Sequence, residues 1–141
     1  MSFAIRTNDE IHEGTDFGFT LAALAAPDGT ALLVTDVSTV DVYVYDTTVD
    51  PDTAIYSSTG MSPSAAPAII VTTAVGDGWT LDSTGRNFRH YLTRAAVGEA
   101  KGEHVYRIRY VVHTDAFSGS SGDFGDFQVV RDVKVRALGA P

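Results

Sequence analysis

Strict alternation of apolar and polar residues is the feature that most constrains this chain. Val40, Val42 and Val44 alternate with Asp41, Tyr43 and Tyr45. His104, Tyr106, Ile108, Tyr110 and Val112 fall on one parity, with Arg107 and Arg109 on the other. Phe127, Val129, Val133 and Val135 alternate with Gln128, Asp132, Lys134 and Arg136. Successive side chains of a strand point to opposite faces, so each run reads as a strand with one buried face. A helix would repeat its apolar residues every third or fourth position, and almost nothing here does. Arg131 falls on the apolar parity of its run. A charge there is expected to mark a bulge or a barrel rim.

Weaker strand signals fill the rest. Thr15 to Leu24 places Phe17, Phe19 and Leu21 on one face, and Ala31 to Val34 is a short apolar run. Ala54 to Ser57 reads as a short edge strand, and Ala68 to Thr73 as a buried one. Asn87 to Thr93 is a further candidate. Turns fall at Pro27-Asp28-Gly29, Gly76-Asp77-Gly78 and Asp82 to Gly85, where proline presets φ and glycine accepts positive φ. Ser58 to Pro67, rich in Ser, Gly and Pro, reads as a surface loop. Thr93 to Ala100 is the one helix candidate, weakened by Gly98. About eight short strands with frequent turn signals predict an all-β fold, an antiparallel β-sandwich of immunoglobulin-like or jelly-roll-like type. Its expected core comprises Phe17, Phe19, Val42, Val44, Ile70, Trp79, Tyr106, Ile108, Tyr110, Phe127, Val133 and Val135.

The 141 residues suffice for one domain with a core of its own. Residues 15–141 are expected to form it, and residues 1–14 read as an extended N-terminal arm. Phe3, Ile5 and Ile11 share one parity of that otherwise polar arm, the pattern of a strand that buries one face. Two dockings satisfy it: the domain's own sheet edge, or the edge of a neighbouring subunit.

Several functional classes are disfavoured at once. The chain has no cysteine, which removes disulfides, thiolate catalysis and cysteine-ligated metals. Its net charge of −8 opposes nucleic acid and anionic membranes, so neither is expected as a partner. The opening residues lack a basic start followed by an apolar run, so no secretory signal is expected; synthesis in the cytoplasm is expected, with action there or exit by a route other than signal-directed export.

No constellation points to catalysis. His12, His90, His104 and His113 include no His-x-His or His-x-x-x-His pair, and His104 and His113 have opposite parity, so they read as solvated or core-edge histidines. No Gly-x-Ser-x-Gly elbow is present. The loop Gly119 to Gly125 lacks the lysine of a phosphate-binding loop. Asp46, Asp50 and Asp52 offer hard oxygens, as do Asp123 and Asp126, which makes calcium the ion to consider, although loop aspartates ordinarily cap local amides. No cofactor is expected. Trp79 with Tyr43, Tyr45 and Tyr56 would suit a sugar-stacking face, and packing is the ordinary use of such rings.

Four phrases occur together: Val42-Tyr43-Val44-Tyr45-Asp46 leading into an Asp-Pro loop, Asp77 to His90 around Gly78-Trp79, His104 to Tyr110, and Asp132-Val133-Lys134-Val135. Across residues 15–138 this grammar resembles the small immunoglobulin-like β-sandwich structural proteins of tailed-phage particles, of the decoration, head–tail joint or tail and baseplate types. The resemblance implies a non-enzymatic virion protein whose partners are other virion proteins and copies of itself. The alternative is a carbohydrate-binding, lectin-like module with an aromatic platform, with or without calcium.

Overall fold

A computed structural model of the chain describes residues 3–24, 32, 36–65, 69–70, 88–94, 98, 101–114 and 126–137, with residues 3 and 4 described for their backbone alone. Seven strands carry the fold: β1 (Phe3–His12), β2 (Gly18–Ala22), β3 (Val37–Asp46), β4 (Ala54–Met61), β5 (Phe88–Leu92), β6 (Val105–Thr114) and β7 (Phe127–Arg136). A five-stranded sheet has the order β1-β7-β6-β3-β4, and β2 and β5 form a two-stranded sheet. The expectation of about eight strands becomes seven among the described residues. The candidates at 31–34 and 68–73 contribute only Leu32, which is buried, and Ile69 and Ile70, the latter bridged to Phe88.

The long sheet is held where alternation is strongest. β3 pairs antiparallel with β6, and β6 antiparallel with β7. Val40, Val42, Val44, Ile108, Tyr110, Val112, Val129, Val133 and Val135 all lie at 0% exposure on its inner face. Removing each such side chain from water contributes about 1.5–3 kcal/mol before entropy is set against it. The small sheet adds Phe88 and Leu92 to the same core, with Phe17 just ahead of β2. The Phe88 ring meets Tyr110 edge-on at 5.1 Å, and Phe17 meets Tyr106 at 5.5 Å. These contacts join the two sheets through the largest buried side chains.

At four points the structure corrects these expectations or decides between alternatives they left open. First, the long sheet is mixed: β1 pairs parallel with β7, Ile5 opposite Val129 and Ile11 opposite Val135. Alternation reports which face a side chain takes and carries no information on strand direction. Second, the arm is docked in cis, with Ile5 and Ile11 half-buried against the chain's own core. The backbone of Phe3 belongs to the same strand, while its side chain lies outside the described residues.

Third, Phe19 is 50% exposed although Phe17 is buried. Gly18 between them has φ +78°, a left-handed conformation that interrupts the pleat. The parity therefore flips, so that Thr20 and Ala22 follow Phe17 inward and Phe19 faces out. Fourth, the segment expected as a loop from Ser58 continues β4 as far as Met61. Val42 pairs with Ser58 and Val40 with Met61, so β4 carries an extra residue there. Gly60, at φ +71°, accommodates that bulge.

The core expected from the sequence is otherwise buried, except Trp79, which lies outside the described residues. Most of the expected helix at 93–100 lies outside them too.

Candidate functional site

The outer face of the β2–β5 sheet carries the most exposed aromatic surface among the described residues. Phe19 pairs with Tyr91 and Leu21 with Arg89 across the two strands. Phe19 and Tyr91 are 50% and 45% exposed, and their rings meet edge-on at 4.9 Å. The Arg89 guanidinium lies 5.2 Å from the Phe19 centroid, within cation–π range. Such stacking holds a planar, always-charged group against the Phe19 ring.

The cluster is braced from below. The Tyr91 hydroxyl donates to Asp16 Oδ2 at 2.5 Å, and the Arg94 amide donates to Asp16 Oδ1 at 2.9 Å. Arg94 Nη1 donates to the Gly14 carbonyl at 2.7 Å. The Tyr91 hydroxyl and then the Arg94 amide hold the Asp16 carboxyl below its usual range. The same bond raises the Tyr91 phenol, so it stays neutral and keeps donating. A concavity of about 290 Å³ adjoins the cluster, walled by Phe19, Tyr91, Arg89, His90, Ile69 and Ala65.

Behind this face runs a polar chain that crosses the core. Arg131, 5% exposed, keeps the regular register of β7 with both neighbours, so no bulge forms at it. Its guanidinium binds Asp9 of β1 through Nε at 3.0 Å and Nη2 at 2.6 Å. It also donates to the Phe17 carbonyl at 2.6 Å and to Thr20 Oγ1 at 3.4 Å. Thr20 in turn bonds the Tyr110 phenol, which burial pushes up. Tyr110 lies 2.8 Å from His90 Nδ1. Burial lowers His90 below its ordinary value, which favours the neutral ring beside the phenol. Five strands, β1, β7, β2, β6 and β5, are tied by this one chain.

The outer face of the long sheet is occupied by cross-strand pairs. Arg107 Nε donates to Asp132 at 2.8 Å, and Arg109 donates to Gln128 at 3.2 Å while lying over the Tyr43 ring. His113 meets Asp41 at 2.8 Å and Asp126 at 3.0 Å.

The carboxylates of Asp46 and Asp50, two of the calcium candidates, are engaged by bonds within the protein. Asp46 is 7% exposed; its Oδ2 faces His104 Nδ1 at 2.8 Å and its Oδ1 accepts the Thr48 amide. Asp50 accepts the Asp52 amide at 2.9 Å in a local turn. Among the described residues no three His, Cys, Asp or Glu side chains form a group able to hold a metal ion. The tyrosines are dispersed: Tyr43 lies under Arg109, and Tyr56 packs against the core. Asp77, Asp82, Asp123, Trp79 and the loop at 119–125 lie outside the described residues.

The aromatic face was missed in the sequence because Phe19 shares parity with Phe17. The signal that would have revealed it is Gly18, the one residue between them free to reverse the pleat. No family model matches the chain, and no curated protein or solved structure matches it either.

Proposed function

We propose that this chain is a non-enzymatic structural protein of a tailed-phage virion, an immunoglobulin-like β-sandwich that acts through contacts with neighbouring subunits and copies of itself. The sandwich reading is supported by the ring contacts between the two sheets. The observation that carries the function is the exposed Phe19–Tyr91 pair with Arg89 beside it. Aromatic residues and arginine are enriched among the side chains that carry most of the binding energy of protein interfaces. The cluster is held in place by Asp16, so little ordering remains to oppose binding.

The test is incorporation. A Phe19→Ser/Tyr91→Ser protein is supplied in place of the native chain, and particles are purified by sedimentation. The reading requires a folded variant that is depleted from particles at least tenfold. A folded variant that incorporates normally contradicts it.

One observation favours the carbohydrate-binding alternative: the concavity beside two exposed rings. The rings stand at 71° to each other, which gives edges and faces rather than one flat platform. Saturable binding of a soluble glycan, lost in the same double variant, would decide for that alternative.

A further inference from the structure

His113 on β6 faces a carboxylate at each ring nitrogen. Nε2 lies 2.8 Å from Asp41 Oδ2, and Nδ1 lies 3.0 Å from Asp126 Oδ2. A neutral imidazole has one N–H and one lone pair, whereas the imidazolium has two N–H donors. Ionised carboxylates only accept. A neutral ring would satisfy one of them and turn a lone pair toward the other. Contact on both sides is therefore the arrangement of the doubly protonated ring.

The two arms are unequal. The Asp41 side chain is 13% exposed and that of Asp126 41%. Asp41 is also fixed by the Gly60 amide of β4 at 2.8 Å and faces the Tyr43 hydroxyl at 3.5 Å. Asp126 stands directly ahead of β7, at the end of the 115–125 connection from β6. Water replaces a lost donor more readily at the exposed carboxylate than at the covered one. We propose that His113 is a pH-operated clasp: doubly protonated, it ties Asp126 to β3, and on losing its Nδ1 proton it releases Asp126 while keeping its bond to Asp41.

Among the described residues, the charged groups on the ring are Asp41 from β3 and Asp126 ahead of β7. Asp36 precedes β3 at the same end, beside the Val37–Thr114 pair. Arg109, four residues along β6, is turned to Gln128 and Tyr43. β4 joins this network through the Gly60 amide, which donates to Asp41. The Asp41 hydrogen bond, with Asp126 adding to it, holds His113 above its ordinary value against the opposing effect of burial. The clasp therefore opens on the alkaline side of the usual histidine range.

Nuclear magnetic resonance of the intact chain reads each arm separately. Ring nitrogens and the amides of Gly60, Asp126 and Phe127 are followed from about pH 5 to about pH 9. The expected result is a His113 midpoint above 6.5, with the Asp126 and Phe127 amides moving at that midpoint and Gly60 holding still. Asp126→Asn lowers the midpoint, and His113→Gln abolishes the shared transition at Asp126 and Phe127. If His113→Gln fails to fold, Asp126→Asn is read alone, and an unchanged midpoint then overturns the proposal. A midpoint at or below 6.5 overturns it, as does a transition that moves Gly60 and leaves Asp126 in place.

Discussion

Arg131 Nη2 and Asp9 Oδ2 meet at 2.6 Å although the two residues lie 122 positions apart. The pair joins the last strand of the chain to its first, on the inner side of the sheet. Arg131 is almost fully buried, while the Asp9 side chain is 43% exposed. Desolvating the guanidinium is costly, and the carboxylate together with the Phe17 carbonyl offsets that cost. The residues of the supposed arm thus supply the counter-ion for a charge within the core.

Asp9→Ala leaves Arg131 buried without its anion. A loss of about 2 kcal/mol is expected, less than for a wholly buried pair because water still reaches the site. The double variant Asp9→Leu/Arg131→Met is expected to lose less than Asp9→Ala. Urea unfolding of the native chain and the two variants measures both.

Deleting residues 1–12 removes β1, uncovers the edge of β7 and orphans Arg131. The truncated chain is expected to unfold, or to melt far below the native protein. A far-ultraviolet circular dichroism melt checks this, and a truncated chain as stable as the native one would remove β1 from the fold's account.

Stability is expected to fall on both sides of pH 6.5, for two different histidines. His113 lies above its unfolded value, so its contribution is complete below 6.5 and is lost as pH rises through the folded value. His90 lies below its unfolded value, so its contribution is complete above 6.5 and is lost as pH falls through the folded value. Urea midpoints across this range should trace a dome, and His113→Gln should flatten only the alkaline limb.

Two core substitutions separate packing from hydrogen bonding. Ile108→Ala empties a fully buried position and should cost about 2–5 kcal/mol. Tyr110→Phe keeps the ring and removes the bonds to His90 and Thr20, for a cost of about 1–3 kcal/mol. The same denaturation experiment measures both, and a Tyr110→Phe protein as stable as the native one would show that the polar chain adds nothing.

The strands were legible where side-chain parity decides burial. Val40 to Val44, Tyr106 to Val112 and Phe127 to Val135 take the faces their alternation assigns. Arg131 was legible as an anomaly, but its resolution needed Asp9, and nothing local in the sequence links residues at opposite ends of the chain. Strand direction was hidden for the same reason: β1 could pair parallel or antiparallel with identical parity. Phe19 was misplaced because one left-handed glycine outweighs a two-residue period. The clasp at His113 was invisible because Asp41 and Asp126 come from different elements, brought together only by the β3–β6–β7 register.

The proposed assembly role is tested most directly by quantitative mass spectrometry of gradient-purified virus particles from cells in which the chain is expressed during particle production. The expected result is peptides of this chain in the particle fraction, and their depletion when Phe19 and Tyr91 are both replaced by serine. Recovery of the native chain only from the soluble fraction, with none in intact particles, would contradict it.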